Sequence, residues 1–286
     1  MMHAKPFVKW AGGKRQLIYT ISKNMPGSFN RYFEPFLGGG AVLFNMLVFS
    51  RSPCYISDLN EELIRTYLAI RDDVDAVIAT LQNHAQAYSH DPAKHYYKTR
   101  ANTPDDDIRR ASRLIFLNRV CFNGLYRVNS KGEFNVPLGS YANPSIVNED
   151  NLRTVSSLLR SREVQISCAD FEKACEPMKE GDFVYFDPPY YSELKTSFTS
   201  YNDSKFDVKE LERLVDLCYR LDGRGCHVML SNSDLHKVAS SFDCWNVKRV
   251  GVNRSINSSG SGRTGHSELL ITNYPTDMNI VQTTLQ

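Results

Sequence analysis

Apolar positions along the chain follow two patterns. Short, largely apolar runs at residues 31–36, 54–57, 164–167, 182–186, 227–230 and 269–272 have the length and the aromatic and β-branched content of buried strands. The first ends in Leu37-Gly38-Gly39-Gly40 and passes into AVLFNMLVFS, which reads as strand, glycine turn and helix, and the second runs into Asp58. Together they open a parallel α/β unit. Between residues 60 and 159 the spacing becomes helical, with Leu63, Ile64, Tyr67 and Leu68 and then Val74, Val77, Ile78 and Leu81. A further helix is predicted over 208–221, between the strands at 182–186 and 227–230. The pattern predicts an α/β domain built from residues 1–59 and 151–286 and interrupted by a helical domain at 60–150. Residues 255–265, rich in Gly and Ser, read as a flexible loop.

Composition narrows the class without naming a function. A chain of 286 residues, 42% hydrophobic and 23% charged, is long enough for a sizeable core, which excludes disorder and collagen-like structure. Seven cysteines, an odd number with no C-x-x-C pair, suggest neither a disulfide framework nor a zinc knuckle. The longest apolar stretch, 41–49, is too short to span a bilayer, and the N-terminus lacks an apolar leader, so a cytoplasmic protein with no membrane association is expected.

The most informative segment is Phe183-Val184-Tyr185-Phe186-Asp187-Pro188-Pro189-Tyr190-Tyr191, a strand that stops at an acid and two prolines. Ligands of open parallel sheets bind at the carboxyl ends of strands, which is where Asp187 stands. The prolines fix φ and remove two donors, leaving rigid carbonyl acceptors. Such a loop offers acceptors and an aromatic face, with no nucleophile. That set suits an exocyclic amino group of a nucleobase. A carboxylate and a carbonyl that accept its two N–H groups turn the lone pair out of the ring plane toward an electrophile, while Tyr190, or Tyr191, stacks on the base. The plainer alternative is a strand-ending turn with an exposed aromatic.

Two glycine clusters fall short of better-known signatures. Gly38-x-Gly40 lacks the third glycine of the dinucleotide fingerprint, since position 43 is Leu; Gly12-Gly13-Lys14 lacks the Walker pattern, since positions 8 and 15 are Val and Arg. Asp58 follows Gly40 by eighteen residues, a position from which acids bond ribose hydroxyls in nucleotide-binding folds. His84, His90 and His95 have no accompanying acidic or cysteine pattern and read as a solvated helical surface, so no metal is expected.

The segments FVKWAGGK, EPFLGGGAV, SDLN, NRVCFNGLYRVNSKGEFNVPLGSY and DPPYY resemble the Dam-type DNA N6-adenine methyltransferases, in the motif order of that family's alpha arrangement, from about residue 6 to 274. The resemblance implies a Rossmann-like methyltransferase sheet with an inserted helical target-recognition domain, S-adenosyl-L-methionine as methyl donor and duplex DNA as substrate. By the same resemblance, Trp10, Lys14, Phe36, Gly38, Gly40, Asp58, Asp170, Phe171 and Asp187 surround the donor. Asp187, Pro188 and Tyr190 hold a flipped-out adenine, and the methyl group passes in line to N6 with no covalent enzyme intermediate. Phe122 stands where the family wedge, commonly Tyr, enters the base stack. Lys9, Arg119, Asn123, Leu125, Arg127, Pro137 and Tyr141 fall among its DNA contacts, and Arg254, Ser255 and Arg263 in a loop that clamps the backbone. GATC is the expected site. A cognate restriction endonuclease is a partner the family allows, and a monomer or weak dimer is expected.

The formal charge of +2 conceals a partition. Residues 108–132 and 244–267 hold ten basic residues and no acid, leaving a net of −8 on the rest, so two DNA-facing basic segments on an acidic body are expected. Competing readings are an N4-cytosine or RNA methyltransferase, disfavoured by Asp at position 187 where the former more often has Ser, and a DNA-binding regulator without catalysis, which has no need of an intact DPPY, glycine turn and Asp58.

Overall fold

The computed structural model describes residues 4–190, 206–252 and 266–276. Seven strands form one sheet: β1 (Tyr32–Glu34), β2 (Cys54–Asp58), β3 (Val164–Cys168), β4 (Phe183–Phe186), β5 (His227–Ser233), β6 (Asn246–Val252) and β7 (His266–Thr272). Their order is β3-β2-β1-β4-β5-β7-β6. The first five are parallel, and β7 runs antiparallel between β5 and β6. Every apolar run singled out in the sequence lies in this sheet. β6 is an addition: it belongs to the segment expected to face DNA, but it forms an edge strand, where Lys248 and Arg249 discourage further pairing. Arg249 pairs with Asp234 at 3.1 Å.

The described helices are α1 (Ile18–Asn24), α2 (Ala41–Phe49), α3 (Glu61–Asp72), α4 (Val74–His90), α5 (Pro92–Ala101), α6 (Asp107–Val120), α7 (Glu149–Ser161), α8 (Phe171–Cys175), α9 (Val208–Asp222) and α10 (His236–Ser240). Seven start on an Asn or Asp whose side chain accepts a first-turn N–H: Asn60, Asp73, Asp91, Asp106, Asn148, Asp170 and Asp207. Part of the chain's acidity is thus spent on capping, each cap worth about 1 kcal/mol.

Side chains alternate across the sheet. Tyr32, Phe183, Tyr185 and Met229 face α1 to α7, whereas Phe33, Val184, Phe186, Val228 and Leu230 face α8, α9 and α10. Burial on both faces explains why β4 is apolar throughout, as central parallel strands are. The apolar cluster on the first face is continuous from the sheet through α3, α4 and α6, so a boundary at 60 or 150 does not separate two cores.

The histidines depart from the solvated surface expected of them. His90 is exposed, but α4 and α5 press His84 and His95 against α6: His84 Nδ1 is 3.0 Å from His95 Nε2, and the His84 ring stacks on Phe116 at 4.8 Å. Burial pushes His84 down to about 4. No described helix is long and apolar enough to cross a membrane.

Candidate active site

Strand order reverses between β1 and β4, because β1 continues to β2 and β3 on one side while β4 continues to β5 on the other. The crevice at the carboxyl ends of strands at such a switch point is where open α/β sheets bind ligands. The glycine turn follows β1 and Asp187 follows β4, so the topology brings together two motifs 150 residues apart in the chain.

The glycine turn closes with Gly40 N–H donating to the Leu37 carbonyl at 2.9 Å, and Gly38 and Gly40 take positive φ of 49° and 71°. A Cβ on Gly38 would lie 2.9 Å from Trp10 Cδ1, and one on Gly40 2.5 Å from the Tyr67 hydroxyl. The missing side chains therefore make room for the protein's own Trp10 and Tyr67. The Tyr67 hydroxyl donates to the Gly38 carbonyl at 3.1 Å, so α3 pins the turn from beneath. Nothing in the spacing of Tyr67, a plain core position of α3, marks this contact.

Glu34, the last residue of β1, is also missed by sequence reasoning, although it belongs to the EPFLGGGAV segment. Its carboxyl is buried and accepts the Tyr32 hydroxyl at 2.8 Å. Burial pushes it up to about 8, with the negative Asp187 nearby adding to the rise.

Asp187 Oδ1 accepts from Lys14 Nζ at 2.7 Å and from Ser231 Oγ at 2.9 Å, and Ser231 Oγ is 2.9 Å from the Tyr185 hydroxyl. Both of these contacts fall on Oδ1. Lys14 is 4% exposed; its ammonium also donates to the Gly12 carbonyl at 2.6 Å and sits 4.8 Å from the centre of the Tyr190 ring. The Tyr190 hydroxyl donates to Glu268 Oε2 on β7 at 2.5 Å. Lys14, read from sequence as a donor neighbour, is thus a member of the Asp187 cluster. Burial raises the Asp187 carboxyl above the usual range, and the Lys14 charge and hydrogen bond oppose that rise. Replacing Lys14 by Met removes the opposing charge, so the acid limb of a kcat profile that requires ionised Asp187 moves to higher pH. Rates between pH 5 and 9 check this, and an unmoved limb would detach Lys14 from Asp187.

On the other side of the turn, Asp58 Oδ2 accepts Gly38 N–H and Oδ1 accepts Asn60 N–H, both at 2.9 Å. Asp170 caps α8 and pairs with Arg213 at 2.9 Å. Phe171 is buried, with Phe36 stacked on it at 5.3 Å and the Arg213 guanidinium 4.8 Å from its centre. Phe36 is half-buried and is the more exposed ring of this pair.

The basic segment 108–132 is less free than its charge suggests. Arg110 is bonded to Glu62, Arg109 lies 3.1 Å from Asp106, and buried Arg113 donates to the carbonyls of Thr99 and Arg100. Half-buried Arg119, expected among the DNA contacts, donates through one guanidinium nitrogen to the Phe7 carbonyl at 2.8 Å. The reason is local: α6 packs on α3, α4 and α5, so Arg110 meets an acid of α3 and Arg113 meets carbonyls of α5. Arg127 Nε donates to Asn135 Oδ1 at 2.6 Å, which holds its guanidinium in a fixed orientation.

Beyond α6 the chain presents Phe122 and Leu125, 51% and 40% exposed, on either side of Asn123 and Gly124 at positive φ. The Phe122 N–H donates to the Pro137 carbonyl at 2.9 Å. Lys9 crosses Gly124 and donates to the Tyr141 hydroxyl at 3.3 Å. Lys9, Phe122, Leu125, Pro137 and Tyr141 thus form one cluster. Tyr191, Arg254, Ser255, Arg263 and the loop 255–265 lie outside the described residues.

A sheet wound both ways from a switch point, with an acid and two prolines at the carboxyl end of one strand, belongs to the open α/β sheets that bind ligands there. Residues 10–256 match the family model for the D12 class N6 adenine-specific DNA methyltransferases. The chain is 45% identical to the type II methyltransferase M.MjaIII of Methanocaldococcus jannaschii, over 96% of this chain and 100% of that protein. It is 39% identical to M1.LlaDCHI of Lactococcus lactis subsp. cremoris, over 96% of each, and 33% identical to the DNA adenine methylase of Haemophilus influenzae, over 93% of this chain and 92% of that one. The chain belongs to the D12 class of N6 adenine-specific DNA methyltransferases.

Proposed function

We propose that this enzyme transfers a methyl group from S-adenosyl-L-methionine to N6 of an adenine flipped out of duplex DNA, within the sequence GATC. The observation that carries the reading is Asp187 at the switch point, with Oδ1 tied to Lys14 and Ser231.

The residues fit the donor. Each Asp58 oxygen accepts one backbone N–H and keeps a lone-pair site for a ribose hydroxyl. Phe36 offers a ring and Asp170 an acceptor, and the Gly38–Gly40 turn, packed by Trp10 and Tyr67, lies beside them. When bound, S-adenosyl-L-methionine supplies an electrophilic methyl group on a good leaving group. The remaining work falls to the chain. Asp187 accepts one N6–H and the Pro188 carbonyl, held by the ring of Pro189, accepts the other. Tyr190 stacks on the base, with its hydroxyl anchored on Glu268. The N6 lone pair is then directed along the line of transfer, and the N6 proton passes toward the Asp187 carboxylate as the new bond forms.

Residues 60–150 serve as the DNA-reading region. Phe122 fills the gap in the stack, which lowers the cost of extrusion, and Asn123, Leu125, Pro137, Lys9 and Tyr141 surround the neighbouring bases. Arg127 reads a guanine edge; its tie to Asn135 presets the fork. Arg127→Ala is expected to reduce discrimination between cognate and single-mismatch duplexes by about 1–3 kcal/mol at that position. Competition binding measures this, and a uniform loss across sequences would make Arg127 a backbone contact. Arg254, Ser255 and Arg263 are proposed as backbone clamps. The relatives named as type II methyltransferases make a cognate restriction endonuclease a reasonable partner, and a cytoplasmic monomer or weak dimer is consistent with the reading.

The test is methyl transfer to unmethylated and hemimethylated GATC duplexes, followed by digestion with methyl-sensitive nucleases. Protection of GATC is expected; protection of a different sequence overturns the site assignment, and transfer to cytosine overturns the chemistry.

A further inference from the structure

Segment 7–10 lies between the two halves of the proposed site, and one buried side chain holds it there. Asn118 on α6 is fully buried, and its amide makes three hydrogen bonds. Oδ1 accepts the Lys9 N–H at 2.7 Å, while Nδ2 donates to the Lys9 carbonyl and to the Gly124 carbonyl, both at 2.8 Å. Two of these bonds hold the N-terminal segment and the third holds the loop that carries Phe122 and Leu125. The adjacent Arg119 adds its bond to the Phe7 carbonyl. Backbone N–H and C=O groups buried at such a junction need partners, and a single amide satisfies three of them.

The next residue, Trp10, touches both halves. One side of its indole packs where Gly38 and Gly39 leave no Cβ, and its ring stacks on Tyr126 with centroids 5.1 Å apart at 28°. Tyr126 belongs to the reading segment, and its hydroxyl meets Asn60, whose own N–H binds the Asp58 carboxylate. A continuous series of contacts therefore runs from the glycine turn through Trp10 and Tyr126 to Asn60 and Asp58, with Asn118 fixing its register against Lys9 and Gly124.

We infer that Asn118 is a positioning residue that locks the DNA-reading loop to the donor-side turn, and that Trp10 and Tyr126 transmit occupancy of either half to the other. This rests on the proposed function. Neither Asn118 nor Tyr126 touches the reacting atoms. Both act through Lys9, Trp10 and the 122–125 loop, so their removal changes the coupling between ligands more than either affinity alone. The coupling is reciprocal: whatever factor the duplex applies to the donor analogue, the analogue applies to the duplex.

The experiment uses the full chain carrying Trp245→Phe, which leaves Trp10 as its sole tryptophan, since the sequence has two. The dissociation constant of S-adenosylhomocysteine is measured by calorimetry with and without a saturating hemimethylated GATC duplex, and Trp10 emission is recorded in both titrations. The duplex is expected to tighten S-adenosylhomocysteine about tenfold, within the usual range of coupling between sites, and to change Trp10 emission. Tyr126→Leu leaves the Asn118 hydrogen bonds in place; it is expected to reduce the factor to about twofold or less and to abolish the emission response to duplex, while both ligands still bind. Asn118→Asp, which faces two carbonyls with an acceptor, is expected to do the same, and Tyr126→Leu decides the matter if that variant does not fold. A purely structural role lowers the melting temperature or both affinities and leaves the ratio unchanged; an unchanged ratio in Tyr126→Leu overturns the inference. A parent protein that binds both ligands without coupling overturns it too and leaves the proposed function standing. One that binds neither ligand overturns both.

Discussion

Asp187→Asn is expected to lower kcat for methyl transfer by roughly 100- to 10,000-fold, with the affinity for duplex changed by no more than a few fold. Asn keeps the volume and one acceptor oxygen but presents an amide without charge. The amino group then loses the charged acceptor that turns its lone pair out of the ring and takes up its proton. Single-turnover rates with labelled donor separate this step from product release. A variant that keeps more than about a tenth of the rate would remove Asp187 from the chemistry. The substitution also strands the Lys14 ammonium, which is 4% exposed and 2.7 Å from Oδ1. Breaking a buried pair on one side costs about 3–5 kcal/mol. Adding Lys14→Met to Asp187→Asn should therefore restore much of the stability and none of the activity, so catalysis and folding can be read separately.

The second large effect is on stability and belongs to Glu34. Its carboxyl is raised from 4.5 to about 8 by burial. A folded-state value above the unfolded one means that the neutral form is the one the fold prefers. The stabilisation it contributes is complete below pH 4.5 and is lost as pH rises through about 8. Over that window the loss is on the order of 3–5 kcal/mol. Gln imitates the neutral acid, keeps an acceptor for the Tyr32 hydroxyl and does not titrate. Glu34→Gln should match the wild type near pH 5 and exceed it increasingly toward pH 8, as read from urea unfolding at each pH. A difference that stays flat over this range would mean that Glu34 is ionised in the folded enzyme.

The two predictions concern residues of different visibility. Asp187 is legible from sequence because its neighbours are unusual: a strand that ends in an acid and two prolines has few purposes. Glu34 is invisible from sequence, because one acid in a strand looks the same whether it faces water or a buried tyrosine hydroxyl. The glycines show the same limit. Their spacing marks a tight turn, but only packing reveals that the room they leave is taken by Trp10 and Tyr67. The basic run at 108–132 is legible as charge, but the sequence does not show which of its residues are buried. Helical spacing does not show that Arg113 and Arg119 point at carbonyls, nor that Arg110 finds Glu62.

By itself, the order of residues determined six of the seven strands and the motifs, since periodicity and turn chemistry are local properties that act over a few residues. It also singled out the side chains proposed to carry chemistry, because DPPY, the glycine turn and Asp58 are rare in combination. Only the tertiary structure decided which charges face a ligand and which are spent inside. It also decided that Lys14 pairs with Asp187, and that a buried Asn118 ties Lys9 to Gly124. Partnership between residues more than a hundred positions apart depends on how the sheet is wound and which helix covers which face.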